Sequence, residues 1–74
     1  MITVYTKPAC VQCDATKRHL NKLGLKYETV DITQDEEALA KIKDMGFSSA
    51  PVVIADNKSW AGYQPDKING LVDL

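Results

Sequence analysis

Hydrophobic and polar positions change period several times along the chain, and each change marks an element. Ile2-Thr3-Val4-Tyr5-Thr6 alternates and is rich in β-branched side chains, which predicts a strand. Lys7-Pro8-Ala9 ends it, because proline gives no N–H to a ladder and biases the residue before it away from helix. From Val11 to Leu23 the spacing is helical, with Cys13, Thr16, Leu20 and Leu23 on one side and Gly24 placed for a left-handed cap. Leu25 to Ile32 predicts a second strand, Leu25 and Tyr27 serving one face and Val30 and Ile32 the other.

Thr33-Gln34-Asp35-Glu36 fits a capping box, with the Thr33 hydroxyl and Glu36 three residues apart. Leu39, Ile42 and Met45 continue as a helical apolar stripe, and Gly46-Phe47 suits a Schellman closure in which Phe47 folds back onto Ile42. Pro51 to Ala55 predicts a third strand. Asp56-Asn57 turns the chain, and Lys58-Ser59-Trp60 returns as the other arm of a hairpin. Pro65 suits the first position of a last helix, with Ile68, Leu71 and Val72 as its buried face. The order is βαβαββα. Its first β-α-β unit requires a right-handed crossover and a parallel strand pair, and the hairpin adds two more strands. The pattern predicts an α/β fold: a small mixed four-stranded sheet flanked by three helices, one domain over residues 1–74.

Length agrees with a single core. At 74 residues, surface scaling gives roughly 4,500 Å² folded against about 12,000 Å² unfolded, too little burial for a second domain. Hydrophobic residues make up 45% of the chain, which argues against disorder. No apolar run approaches the roughly 20 residues of a membrane span. The start, Met1-Ile2-Thr3-Val4-Tyr5, lacks the features of a signal peptide, and we expect a cytoplasmic monomer without membrane contact. A net charge of −1 argues against nucleic acid as the main partner. The charge is nonetheless uneven. Lys7, Lys17, Arg18, Lys22 and Lys26 face Asp14 alone in the first third, a basic patch suited to steering an acidic partner.

The chemistry rests on Cys10-Val11-Gln12-Cys13. A disulfide between these cysteines would close too short a loop to stabilise the fold much. The spacing favours redox chemistry. The competing reading is a metal site, but with only His19 as a further soft or imidazole ligand it would have to be shared between two chains.

Two motifs together carry a family resemblance. Lys7-Pro8-Ala9-Cys10-Val11-Gln12-Cys13 after a strand, followed by Ala50-Pro51 opening another, resembles the thioredoxin fold in its short glutaredoxin form. Cys10-Val11-Gln12-Cys13 with Trp60-Ala61-Gly62-Tyr63-Gln64-Pro65-Asp66 resembles the NrdH-redoxins, whose usual patterns are Cys-Val-Gln-Cys and Trp-Ser-Gly-Phe-Arg-Pro-Asp. The chain departs from the second at Ala61, Tyr63 and Gln64. The resemblance implies a thiol–disulfide oxidoreductase that takes electrons from thioredoxin reductase and passes them to class Ib ribonucleotide reductase. It implies no cofactor beyond a redox-active Cys10–Cys13 disulfide.

By the same resemblance Cys10 is the nucleophile, at the mouth of the first helix where free N–H groups favour a thiolate, and Cys13 is the resolving thiol. Pro51 is the cis-proline facing the disulfide, and the Ala50 backbone beside it pairs with substrate. Lys7, Val11, Gln12, Trp60 and Gly62 complete the expected substrate-binding set. Two competing readings are a glutathione-dependent glutaredoxin and a dimer that binds a metal or cluster through Cys10. The turn Gly62-Tyr63-Gln64-Pro65-Asp66 argues against glutathione, since Pro65 lacks an N–H and Asp66 repels a carboxylate.

Overall fold

The computed structural model describes residues 1–72, so the end of the expected 1–74 domain lies outside the described residues. Seven elements follow in order: β1 (Ile2–Thr6), α1 (Val11–Lys22), β2 (Glu28–Asp31), α2 (Glu36–Asp44), β3 (Val52–Ala55), β4 (Lys58–Ala61) and α3 (Pro65–Gly70). They form one sheet in the order β2-β1-β3-β4. β1 runs parallel to β2, pairing Thr3 with Glu28 and Thr6 with Asp31. β3 is antiparallel to both β1 and β4, with Val4 opposite Val53 and Val53 opposite Trp60.

Strand alternation sends side chains to two cores. Val4, Val53 and Trp60 meet Leu20 of α1 with Ile68 and Leu71, whereas Tyr5 and Val52 meet Ala38 and Ile42 of α2. The sheet therefore carries α1 and α3 on one face and α2 on the other. The folded surface is 4715 Å², close to the value that chain length implies.

The second strand is shorter than the hydrophobic pattern predicts. Leu25 donates its N–H to the Leu20 carbonyl at 3.0 Å and Gly24 donates to Asn21 at 3.0 Å, a Schellman closure that uses the first residues of the expected strand to end α1. Gly24 adopts φ +72°, a conformation open to glycine without penalty. Leu25 and Tyr27 still pack on the first core.

The cap of α2 also differs. Asp35, not Thr33, is the N-cap and accepts the Ala38 N–H at 3.0 Å. Asp31 has already taken the Thr33 N–H at 2.8 Å and its hydroxyl at 2.6 Å, so that hydroxyl is committed to a local turn. Phe47 closes α2 as expected, donating to Ile42 at 3.0 Å and packing in the same cluster. The inner face of α2 is Ala38, Leu39 and Ile42, while Met45 is 42% exposed. Val72 likewise lies outside the core, at 50% exposure.

Candidate active site

The site is built where β1 hands over to α1. Ala9 sits at φ +55°, a left-handed conformation unusual for a residue with a side chain, and it aims the next residue into the mouth of the helix. Cys10 is the N-cap residue, with extended backbone at φ −111° and ψ 106°. Its sulfur accepts the Cys13 N–H at 3.1 Å and its carbonyl accepts the Asp14 N–H at 3.1 Å. A cysteine thus takes the place usually held by Ser, Asp or Asn, and its sulfur lies at the positive end of the helix.

Cys10 and Cys13 are joined as a disulfide, with Cα atoms 5.2 Å apart. Cys13 is 1% exposed and Cys10 is 9% exposed, so both are buried and the capping cysteine is the less deeply so. Thr16, fully buried one turn further on, donates its hydroxyl to the Gln12 carbonyl at 2.9 Å. That contact satisfies the buried hydroxyl and fixes the backbone between the cysteines.

The remaining expected residues divide into two groups. Val11 and Gln12 lie between the cysteines, and Gln12, Gly62 and Pro51 are linked in turn. The Ala50–Pro51 bond is cis, and Pro51 is buried. Its carbonyl accepts the Gly62 N–H at 2.7 Å. Gly62 lies at φ +82°, and a Cβ there would stand 3.3 Å from Gln12 Oε1. The same oxygen accepts the Tyr63 N–H at 3.2 Å. The turn after β4 therefore closes against both the Cys-x-x-Cys dipeptide and the start of β3. Ala50 is half-buried, and Val11 is 80% exposed.

Lys7 and Trp60 make none of these contacts. Lys7 is exposed and takes part in no ion pair among the described residues. Trp60 is 3% exposed in the core under α1 and α3, which makes it a packing residue rather than part of the open surface. Its neighbour in the motif, Gln64, turns inward and donates to the Ala61 carbonyl at 2.9 Å.

Three residues outside the expected set complete the surroundings. His19 Nδ1 accepts the Tyr63 hydroxyl at 2.9 Å, and its Nε2–H donates to Asn69 Oδ1 at 2.8 Å. Only the spacing of Gln12 and His19, seven residues and two helical turns apart, signals in the sequence that both face one neighbour. Among the described residues no three His, Cys, Asp or Glu side chains converge as a metal site. No helix among them is long and apolar enough to cross a membrane.

Known proteins resemble this chain in sequence and fold. The glutaredoxin family model matches residues 2–60. The glutaredoxin-like protein NrdH of Escherichia coli strain K12 is 44% identical over 70 residues, covering 95% of this chain and 86% of that protein. The NrdH protein of Lactococcus lactis is 32% identical, covering 96% of this chain and 99% of its own. The solved structure of the Escherichia coli NrdH-redoxin, described for its thioredoxin-like activity profile, superposes with a TM-score of 0.92 over 95% of this chain and 92% of that one.

Proposed function

Because the chain belongs to the glutaredoxin family, as a NrdH-like thiol–disulfide oxidoreductase of thioredoxin fold, we propose that it is a dithiol electron donor to class Ib ribonucleotide reductase, itself reduced by thioredoxin reductase with NADPH. The observation that carries this reading is the Gly62–Asp66 turn. A glutathione site needs donors for two terminal carboxylates. Here Gln64 commits one N–H to Ala61 and carries no charge, Pro65 opens α3 without an N–H, and Asp66 adds negative charge to the first turn. The thioredoxin-like activity profile described for the Escherichia coli relative supports the same electron source.

The division of labour follows from the helix mouth. In the reduced protein the Cys10 thiolate, favoured by the Cys13 N–H and the helix end, attacks one sulfur of a substrate disulfide. That bond breaks, a mixed disulfide forms, and the departing sulfur takes a proton. Cys13 then loses its proton and attacks the Cys10 sulfur, releasing the second substrate thiol and restoring the Cys10–Cys13 disulfide. Two electrons and two protons reach the substrate. The pair needs no prosthetic group for this exchange. Ala50 and Gly62 frame the path of an extended substrate segment, and Val11 offers it apolar contact.

The deciding experiment reduces the oxidised protein with NADPH and thioredoxin reductase beside glutathione with glutathione reductase. Turnover of class Ib ribonucleotide reductase is then coupled to each system. Fast, saturable reduction by thioredoxin reductase and slow, unsaturated reduction by glutathione are expected. Equal turnover with glutathione would replace this reading with that of a glutaredoxin.

A further inference from the structure

Tyr63 is gripped at both of its ends by one face of α1, its backbone at the Cys-x-x-Cys dipeptide and its ring two turns further on, outside the electron-transfer steps. Its backbone N–H donates to Gln12 Oε1 at 3.2 Å, and its hydroxyl donates to His19 Nδ1 at 2.9 Å. The two rings pack with centroids 5.8 Å apart at a tilt of 56°. His19 is in turn fixed by its Nε2–H bond to Asn69 at 2.8 Å, and Gln12 by the Thr16 hydroxyl on its carbonyl at 2.9 Å. The preceding Gly62 is bonded to Pro51 at 2.7 Å. The turn is tied to α1, α3 and the start of β3, while Tyr63 as a whole stays 37% exposed.

We infer that Gln12 and His19 are positioning residues that hold Tyr63 as a fixed edge along α1, running from the Cys-x-x-Cys dipeptide to His19 two turns further on, against which a protein carrying the target disulfide docks. A partly exposed aromatic residue held by one hydrogen bond on its backbone and one on its hydroxyl presents contact area with little ordering left to be done on binding. Val11, next to Gln12 on the same dipeptide, is 80% exposed and adds apolar surface nearer Cys10. A small disulfide needs only the sulfur and gains nothing from the edge. Selectivity for protein disulfides over small ones therefore comes from this clamp. The phenol hydroxyl explains the tyrosine at position 63: without it His19 would have no partner on the turn.

The test is single-turnover reduction of insulin and of hydroxyethyl disulfide by the pre-reduced protein. His19→Ala and Tyr63→Phe should each raise the half-saturating insulin concentration by about two- to tenfold, the factor one ordinary hydrogen bond supplies. The limiting rate on insulin and the rate on hydroxyethyl disulfide should hold in His19→Ala. The double variant should be no worse than His19→Ala alone, because both changes remove the same bond. Gln12→Leu should weaken insulin binding similarly, and Gln12→Glu, which keeps an acceptor oxygen, should restore it. Unaltered half-saturation in His19→Ala and Gln12→Leu would overturn the inference. So would an equal loss on both disulfides, which would place the effect on the cysteines.

Discussion

The backbone N–H of Cys13 donates to the sulfur of Cys10 across 3.1 Å, so the more deeply buried cysteine supplies a donor to the other before it supplies its thiol. One cysteine is a helix cap and the other lies a turn inside, at 1% exposure. Their reactivities should differ accordingly. In the reduced protein Cys10 should alkylate much faster than Cys13 at neutral pH. Cys13→Ser should accumulate a mixed disulfide with substrate, and Cys10→Ser should abolish substrate reduction. Mass spectrometry of the trapped species checks this, and faster labelling of Cys13 would reverse the assignment.

Gly62→Ala should strike the turn through two effects at once. The new Cβ would stand 3.3 Å from Gln12 Oε1, and φ +82° disfavours any side chain. A left-handed residue costs roughly 1–2 kcal/mol when glycine is replaced, and thermal denaturation should show a loss of about that size. Protein-disulfide reduction should fall in the same variant, because Gln12 and Tyr63 are displaced together.

Capping of α2 separates two neighbouring residues. Asp35→Ala should cost about 1 kcal/mol, the usual price of losing an N-cap acceptor. Thr33→Ala, which touches only the Asp31 turn, should cost less. Urea titration of the two variants decides it: a greater loss at Thr33 would mean the helix starts earlier.

Ile42 and Met45 test which side of α2 is buried. Ile42→Ala should destabilise by about 2–5 kcal/mol, as expected for a fully buried aliphatic side chain. Met45→Ala should stay within roughly 0.5 kcal/mol, the range of surface changes. Comparable losses at both positions would show Met45 sharing the core.

Local chemistry made much of this protein legible from its sequence. The alternation of Ile2–Thr6, the helical spacing after Cys10 and the glycines after α1 and α2 are decided within a few residues, so they predicted elements and the order βαβαββα directly. The two cysteines could likewise be placed at a helix mouth, because an N-cap is a local device. Where two local devices competed for one residue, the sequence could not say which would win. Leu25 went to close α1 instead of opening β2, and the Thr33 hydroxyl went to Asp31 instead of capping α2. The Gln12–Tyr63 and His19–Tyr63 contacts span 51 and 44 residues and exist only because β4 returns the chain beside α1. Trp60 was decided the same way: pairing with Val53 in the sheet turns it to the α1 face, and the core closes over it. Short-range periodicity carries the identity of each element, but which side chains meet across the site depends on strand register and on which helix covers which face.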